Sequence, residues 1–393
     1  MQDFLLIPIP RFIMAKYIIK TLHGLEEILC KELEAIGGLN PQPLIRAASC
    51  EGDLSFLYKA NVCLRTAISI LKPINRFRAR DEEQLYRGVQ NINWSSIFGM
   101  ANTFAITASV NSDHFNHSKY VALKSKDAIV DQFRKKYGER PSIDVENPDI
   151  KINIHIARDQ VTVSLDSSGD TLNKRGYRKE GVFAPLNEVL AAGLVSLSGW
   201  NKKTDFVDPM CGSGTILIEA AMMARNIAPN INRKSFAFKN WKDFNQETWD
   251  KVLADAKNQE TETDCQFFGS DISDKNLRVA VGNCFEASLA GKIKFENCDI
   301  RDLNVPFESG IAITNPPYGE RLQLNDMNEF YKEISDAMKK NFEGYDFWVI
   351  SSNMDALKHL RLRTSRKITM YNGSLECKFN KYEMYRGTKK VRD

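Results

Sequence analysis

Hydrophobic and polar positions alternate along this chain either with the period of two typical of strands or with the period typical of helices. The order in which strands and helices follow each other changes near residue 180. Before that point, a period of two marks strands at 104–110, 150–156 and 160–165, and a helical period marks 119–137. The last two strands are separated by a short polar turn, which predicts a hairpin. The pattern predicts mixed α+β structure.

The first 75 residues contain the same mixture on a smaller scale. A strand-like run at 17–20 leads into a helical pattern at 24–36, which two glycines end. A second helix is expected at about 55–67, and 67–71 has the pattern of a strand. We therefore expect a small α+β unit here.

From residue 187 onward, strands alternate with amphipathic helices. The strands are expected at 205–208, 266–271, 292–298, 311–315 and 347–351. The helices between them are expected at 215–225, 274–287 and 327–341. Near-continuous apolar strands in this order predict an α/β fold, a Rossmann-like, doubly wound and mostly parallel sheet. Two final strands, 367–371 and 376–385, predict an antiparallel hairpin at its edge.

The length and the charge distribution suggest separate roles for the two parts. A chain of 393 residues is longer than one hydrophobic core usually serves, so two or three domains are expected. Residues 1–180 contain 25 Lys and Arg against 21 Asp and Glu, which leaves 29 of each in the remainder. The net charge of +4 thus lies entirely in the first part. Phosphate binding needs a local cationic surface, which this part could supply.

Cysteine and histidine spacing argues against a metal site. The eight cysteines occur singly, and the nearest histidines, His114 and His117, lie in a polar stretch typical of a solvated loop. No apolar run approaches the ~18–20 residues that a bilayer crossing requires. Residues 1–14 lack the features of a secretory signal and are treated as a tail. We expect a reduced, metal-free, cytoplasmic protein.

Residues 208–215, which we call the cofactor loop, have the composition of a ligand-binding turn. Their sequence is Asp-Pro-Met-Cys-Gly-Ser-Gly-Thr. Gly212 and Gly214 let the backbone approach a ligand, and the helix beyond offers unpaired N–H groups. The loop lacks the third glycine of the dinucleotide fingerprint and the Gly-Lys-Ser/Thr of a phosphate loop. Hydride transfer and nucleotide hydrolysis are therefore not favoured.

Three successive predicted strands end in aspartates, Asp208, Asp271 and Asp299. In a doubly wound sheet the ligand lies beyond these strand ends. Asp208 suits an ammonium group such as that of a methionine-derived cofactor, Asp271 suits two ribose hydroxyls, and Asp299 suits an adenine amino group. Helix capping is the alternative for any one aspartate. Three together favour S-adenosylmethionine.

The fourth strand runs into Asn315-Pro316-Pro317-Tyr318, which we call the catalytic loop. Two prolines end the strand and stiffen the loop. The Asn315 side chain and the Pro316 carbonyl offer two acceptors for both hydrogens of a planar amino group, and Tyr318 offers a surface on which a base could stack. An ordinary turn is the alternative. The loop predicts methylation of an exocyclic amino group.

These motifs resemble those of class I methyltransferases that modify amino groups of nucleobases. Residues 119–149, 164–169 and 174–178 resemble a THUMP domain and its exit; such RNA-binding modules follow a small ferredoxin-like unit. Residues 184–187 and the following helix resemble the segment that packs against the cofactor. The resemblance covers residues 15 to about 386. It is closest to the bacterial family of 23S rRNA guanine-N2 methyltransferases of the L type.

The resemblance implies an order of domains. The expected segments are a tail (1–14), a ferredoxin-like domain (15–73), a THUMP domain (74–168), a connecting segment with a cofactor-packing helix (169–203) and a methyltransferase domain (204–393). Some members carry a second, guanine-N7 methyltransferase domain, which we expect to be absent here.

The resemblance also implies roles for individual residues. The candidate cofactor contacts are Asp208, Pro209, Cys211, Gly212, Ser213, Gly214, Thr215, Asp271, Ile272, Asp299, Ile300 and Asn315. The candidate catalytic residues are Asn315, Pro316, Pro317 and Tyr318. The candidate RNA contacts are Arg76, Arg78, Arg80, Arg175, Tyr177, Arg178 and Arg321. The first three arginines alternate, so in a strand they would share one face, although a merely solvated face is an equal alternative.

Three functional hypotheses remain at this stage. The first is methylation of guanine N2 in 23S rRNA or a large-subunit precursor. The second keeps the chemistry but changes the target to transfer RNA or to adenine N6 of a nucleic acid, since the catalytic loop binds an amino group and not a particular base. The third is a non-catalytic RNA-binding or ribosome-assembly factor.

Overall fold

The computed structural model describes residues 14–178, 186–317 and 324–385. Within them the chain forms two seven-stranded sheets. One lies in residues 14–178, the N-terminal half, and the other in residues 186–385, the C-terminal half. The change of pattern near residue 180 therefore coincides with the passage from one sheet to the other.

The N-terminal sheet carries helices between its strands. Its strands are β1 (Ala15–Lys20), β2 (Leu39–Leu44), β3 (Ala47–Gly52), β4 (Ser69–Arg78), β5 (Phe104–Asn111), β6 (Ile150–Ala157) and β7 (Gln160–Asp166). The helices are α1 (Glu26–Ala35), α2 (Leu54–Cys63), α3 (Glu82–Gln90), α4 (Trp94–Ile97) and α5 (Ser118–Tyr137). The strand order is β2-β3-β1-β4-β7-β6-β5. Neighbouring strands are antiparallel except β5 and β6, which are parallel.

The hairpin predicted near residue 158 is formed by β6 and β7. Ile152, Ile154 and Ile156 are fully buried on one face of β6, whereas His155 on the other face is exposed. Arg158 occupies the turn with a positive φ of 57°, as tight hairpin turns require. The hairpin and the solvent-facing His155 are thus confirmed.

Strand β4 joins the two predicted N-terminal domains into one sheet. It pairs with β1 through residues 69–71 and with β7 through residues 71–78. The predicted domain boundary at residues 73 and 74 falls inside this strand, where a register shift separates Pro73 from Asn75. That boundary stays a prediction, but the sheet and its buried core continue across it.

The C-terminal sheet has the predicted strand–helix alternation. Its strands are β8 (Phe206–Asp208), β9 (Phe267–Asp271), β10 (Lys294–Asn297), β11 (Gly310–Thr314), β12 (Tyr345–Ser351), β13 (Arg366–Asn372) and β14 (Leu375–Glu383). The helices are α6 (Glu188–Leu197), α7 (Thr215–Ala224), α8 (Gln246–Asn258), α9 (Asp274–Glu286), α10 (Leu324–Asn341) and α11 (Met354–Lys358), with a 3₁₀ turn at Ala237–Asn240. The order is β10-β9-β8-β11-β12-β14-β13. The first five strands are parallel, and the final hairpin is antiparallel, as predicted.

A segment of the C-terminal half, residues 228–256, packs into the hydrophobic core of the N-terminal half. The ring of Phe238 stacks on Tyr58 with centroids 4.6 Å apart, and Trp249 of α8 lies edge-on at 5.3 Å from Phe238 and 5.9 Å from Tyr58. The Tyr58 hydroxyl accepts a hydrogen bond of 2.9 Å from the Asn245 N–H. This aromatic cluster fixes the two halves against each other.

Replacing Trp249 in this cluster should weaken the whole structure. Trp249 is 4% exposed, so we expect Trp249→Ala to lower the free energy of unfolding by ~3–5 kcal/mol, because it leaves a large cavity. Trp249→Phe, which keeps an aromatic ring, should cost less than half as much. Urea denaturation of the full chain measures both. A loss below ~1 kcal/mol for Trp249→Ala would contradict a joint core.

Candidate active site

The predicted site lies where the order of the C-terminal sheet reverses. Strands β8 and β11 are neighbours at its centre, paired through Phe206–Ile311 and Val207–Ala312, and later strands extend outward from both. Loops after neighbouring parallel strands meet at one edge, and at such a reversal they leave a crevice. The cofactor loop and the catalytic loop leave the two central strands, so the sheet brings them together.

The cofactor loop is held in a fixed shape by the end of β9. The Gly212 N–H donates to Asp271 Oδ2 at 2.9 Å, and the Cys211 N–H donates to the Ser270 carbonyl at 2.9 Å. Gly212 and Gly214 have positive φ angles of 53° and 77°, which favour glycine. A Cβ on Gly214 would lie 3.2 Å from Ala280 Cβ, whereas none of the described atoms lies within 4 Å of a Cβ on Gly212. The backbone at Gly212 is therefore open to a ligand.

Other predicted members of the cofactor loop point inward. The side chains of Cys211, Ser213 and Thr215 are buried, and the Pro209 carbonyl accepts a hydrogen bond of 2.9 Å from Ser270 Oγ. These residues shape the loop, and their side chains offer little surface to a ligand.

Asp208 is a buried carboxyl at the end of β8. It is 1% exposed, and its Oδ1 accepts a hydrogen bond of 3.2 Å from the Met210 N–H. Burial raises the pKa of Asp208 to about 7, the nearby Asp271 carboxylate adds to the rise, and the Met210 N–H opposes it. The group is thus poised to lose its proton when a cation binds beside it.

Asp271 serves the loop as well as the crevice. Its Oδ1 accepts hydrogen bonds from the Ser273 N–H (2.9 Å) and from Asn276 Nδ2 (3.1 Å). The N-cap of the following helix is Ser273, so Asp271 does not itself cap that helix. The following Ile272 is 70% exposed, which leaves an apolar surface beside the carboxylate. Such a surface suits a ribose and base that need both a hydrogen-bond acceptor and an apolar contact.

Asp299 carries an ion pair that sequence reasoning did not identify. Arg301 donates to it from Nε at 2.9 Å and from a terminal nitrogen at 2.7 Å, and also contacts Glu333 at 3.2 Å. The Arg301 guanidinium lowers the pKa of Asp299. Ile300, predicted to contact the cofactor, is buried in the core. An adenine amino group would have to share an Asp299 oxygen with Arg301.

Asn315 begins the catalytic loop directly after β11. Its side chain is half-buried, Pro316 is buried and Pro317 is exposed. The buried Asn315 Oδ1 has no hydrogen-bond partner among the described residues. Buried polar atoms are almost always paired, so an acceptor left open beside a crevice is a candidate ligand contact. Tyr318 and Arg321 lie outside the described residues.

The predicted RNA contacts divide into two groups. Arg76 and Arg78 are exposed on one face of β4, which confirms that they share it. Arg80 lies beyond the end of that strand and pairs with Asp159 at 3.3 Å. Arg175 and Tyr177 are only 2% and 3% exposed.

The interpretation of Arg175 and Tyr177 as RNA contacts is therefore wrong. Both side chains bind Glu219 of α7, Arg175 through Nε at 3.4 Å and Tyr177 through its hydroxyl at 3.2 Å. Arg175 also donates to the carbonyls of Leu172 and Arg65. A buried carboxylate needs such partners, because an unpaired charge in the interior is very costly. The third residue, Arg178, is half-buried and contacts α6 and α7.

The described parts of the chain contain neither a metal-binding cluster nor a membrane-spanning helix. Residues 14–178, 186–317 and 324–385 contain no group of three or more His, Cys, Asp or Glu side chains arranged to hold a metal ion. Within the same ranges, none of the helices has the length and apolar composition that membrane crossing requires. All eight cysteines are free thiols.

Comparison with known proteins identifies three matching families. Residues 175–381 match the family described as RMKL-like, methyltransferase domain. Residues 79–166 match the THUMP domain, and residues 16–71 match the RlmL ferredoxin-like domain.

The names of individual relatives are consistent with these family matches. The chain is 38% identical over 382 residues to the ribosomal RNA large subunit methyltransferase K/L of Syntrophotalea carbinolica, covering 94% of this chain and 53% of that protein. It is 37% identical over 371 residues to a protein of Synechocystis sp. provisionally named an RNA methyltransferase, covering 94% and 97%. The chain thus spans about half the length of the first relative and nearly all of the second.

One solved structure has the same fold and contains S-adenosylhomocysteine, the demethylated form of the predicted cofactor. A protein provisionally named a methyltransferase, crystallised with S-adenosylhomocysteine, superposes with a TM-score of 0.84 at 28% identity, covering 95% of this chain and 99% of that one. The class I fold and the S-adenosylmethionine cofactor predicted from the sequence are confirmed. The chain therefore belongs to the RMKL-like methyltransferase family and is an S-adenosylmethionine-dependent methyltransferase that carries THUMP and ferredoxin-like units.

Proposed function

We propose that this protein methylates the exocyclic N2 amino group of a guanine in 23S rRNA or in a large-subunit precursor, in the cytoplasm. The observation that carries the proposal is Asn315, whose buried side-chain oxygen lacks a partner among the described residues and which follows the central strand of the sheet. Asp208, on the neighbouring strand, supports a cofactor at the same edge.

Asn315 and Pro316 would hold the target amino group. Its lone pair is delocalised into the base, so a planar amino nitrogen is a weak nucleophile. Two carbonyl oxygens that accept both of its N–H bonds favour a more tetrahedral nitrogen, with its lone pair directed out of the plane of the base. Positioning and electrostatics then provide most of the rate acceleration, and the surplus proton passes to solvent after the transfer.

The described residues fit the cofactor. When bound, S-adenosylmethionine supplies an electrophilic methyl group. Asp208 would hold its ammonium group, and the open backbone at Gly212 would face its methionine part. Asp271 and Ile272 would hold the ribose, and Asp299 the adenine amino group. The raised pKa of Asp208 supports this assignment, because the buried carboxyl still needs a cationic partner.

The N-terminal half supports an RNA substrate. Its THUMP match and the exposed Arg76 and Arg78 on β4 suit contact with phosphates. The names of the two relatives, a ribosomal RNA large subunit methyltransferase and an RNA methyltransferase, point in the same direction. Because the catalytic loop can accept any planar amino group, the choice of guanine N2 in 23S rRNA as the target rests on the sequence resemblance.

The assignment is tested by analysing nucleosides after reaction with purified protein. Unmodified 23S rRNA, transfer RNA and duplex DNA are each incubated with S-adenosylmethionine, digested and analysed by mass spectrometry. We expect N2-methylguanosine from 23S rRNA and at most a trace of modified nucleoside from the other two substrates. N6-methyladenine, or a preference for transfer RNA, would replace the proposal by the alternative target.

Asn315→Ala should lower the methyl-transfer activity without lowering the stability of the fold. Loss of one acceptor at the reacting group should reduce kcat by ~100-fold or more. The free energy of unfolding should stay equal or rise, because a buried unpartnered oxygen costs ~1–3 kcal/mol and is removed. Methyl-transfer assays and urea denaturation measure the two effects. A variant that is both inactive and clearly destabilised would indicate a structural role for Asn315 instead.

Affinity for S-adenosylmethionine should depend on pH through Asp208. Its pKa of about 7 in the free protein means that acid protonates it and removes its charge. A bound ammonium group favours the charged form, so affinity should fall between pH 7.5 and pH 5.5, approaching ~10-fold per unit well below the pKa. Calorimetric titration at several pH values measures this.

Asp208→Asn is the matched control for the pH experiment. The amide has the same shape but does not titrate, so the variant should bind weakly at every pH and lose the steep dependence. An unchanged slope in Asp208→Asn would assign the titration to another group.

A further inference from the structure

Arg178, at the exit of the N-terminal half, reaches the first residue of the helix that follows the cofactor loop. One of its terminal nitrogens donates to Thr215 Oγ1 at 2.8 Å and to the Leu186 carbonyl at 3.0 Å, and the other contacts Glu188 Oε1 at 3.1 Å. We propose that Arg178 is a positioning residue that holds the cofactor loop in its binding shape and so sets the affinity for S-adenosylmethionine. The proposal depends on the cofactor and not on the base or the RNA that is methylated.

Thr215 is the point at which the loop becomes a helix. It follows Gly214, the N-cap residue of α7, which has a φ of 77°. The Thr215 hydroxyl lies 3.3 Å from Ser213 Oγ. The Ser213 carbonyl accepts a hydrogen bond of 3.1 Å from Asn283 Nδ2. The loop is thus held by Asp271 at Gly212, by Asn283 at Ser213 and by Arg178 at Thr215. Asp271 and Asn283 belong to β9 and α9 of the C-terminal half, whereas Arg178 lies at the end of the N-terminal half.

The chemistry of this contact requires an arginine. The Arg178 side chain is 19% exposed and that of Glu188 is 5% exposed, so the pair lies largely away from water. A guanidinium presents several N–H groups in one rigid plane and can reach Thr215, Leu186 and Glu188 together, whereas a lysine ammonium offers a single point of charge. Glu188 also balances the positive charge, so Arg178 does not repel a cationic cofactor.

The rest of α7 is fixed independently of Arg178. Arg175 binds Glu219 in its second turn. Arg65 donates to the Met222 and Ile227 carbonyls near its end, at 3.4 Å and 2.7 Å. Because these contacts hold the helix in place, loss of the Arg178–Thr215 hydrogen bond should loosen the first turn and the cofactor loop without displacing α7. The consequence should appear in cofactor binding before it appears in folding.

An alternative role is that Arg178 only joins the connecting segment to α6, through Leu186 and Glu188. The two roles differ in what Thr215 does. Thr215→Val keeps the shape of the side chain and removes the acceptor for Arg178, while leaving the contacts to Leu186 and Glu188 in place. If Arg178 served α6 alone, this variant would bind S-adenosylmethionine as the unaltered protein does.

The experiment is calorimetric titration of the full chain with S-adenosylmethionine and with S-adenosylhomocysteine, in the absence of RNA. We compare Arg178→Lys, Thr215→Val and the double variant, each with its melting temperature. Each single variant should raise Kd by ~10-fold, the size of one charge-assisted hydrogen bond. The double variant should be no more than about twofold weaker than the weaker single variant, because both remove the same contact.

Arg225→Gln is the matched control. Arg225 lies at the other end of α7 and makes a bidentate ion pair with Glu262 outside the loop, so the variant should leave Kd within about twofold. Wild-type affinity in Thr215→Val or in Arg178→Lys would overturn the proposal, as would additive effects in the double variant. No step uses RNA, so failure of the guanine assignment leaves this test unaffected.

Discussion

The ion pair between Arg175 and Glu219 constrains both halves of this protein. Both side chains are fully buried, and the same carboxylate accepts a hydrogen bond from Tyr177. A lone buried charge would be prohibitively unfavourable, so the connecting segment that carries Arg175 must lie against α7 in one arrangement. Arg65 of the N-terminal half then caps the carbonyls at the end of that helix. Since α7 begins at the cofactor loop, the packing of the two halves and the shape of the cofactor site depend on the same set of charges.

The site is built from groups that do not stabilise the free protein. Asp208 is buried without a cationic partner among the described residues, which raises its pKa to about 7, and Asn315 keeps an open acceptor. Each would be better satisfied by a ligand than by its present surroundings. Neighbouring groups are well paired, as in the Gly212–Asp271 hydrogen bond and the hydrogen bond from Asn283 to the Ser213 carbonyl. Both of these candidate ligand contacts lie at the ends of central strands, Asp208 at the end of β8 and Asn315 directly after β11.

The sequence predicted the centre of the C-terminal sheet well because its strands β8, β9, β11 and β12 are buried on both faces. Runs such as 311–313 and 347–350 are wholly apolar, and the aspartates at 208 and 271 and the glycines at 212 and 214 stand out after their strands. Strand β2 was missed because Pro41 and Pro43 argue against a strand, although they are compatible with the sheet edge that β2 occupies. Helix α8 was missed although its apolar positions 249, 252, 253 and 256 have the helical period. Its packing partner, the core of the other half, is not indicated by any local pattern.

The buried Arg175 shows where sequence reasoning stops. Arg175 and Arg178 are separated by two residues in a basic segment, and in sequence they are indistinguishable from solvent-exposed phosphate contacts. The fold pairs Arg175 with Glu219, which is distant in sequence, and Arg178 with the nearer Glu188. Arg175 and Glu219 are fully buried, whereas the Arg178 side chain is 19% exposed. Because the charge of Arg175 is balanced in the interior, it contributes little to the surface potential. Exposed residues contribute more to that potential, and Arg76 and Arg78 are exposed on a strand that both N-terminal units share.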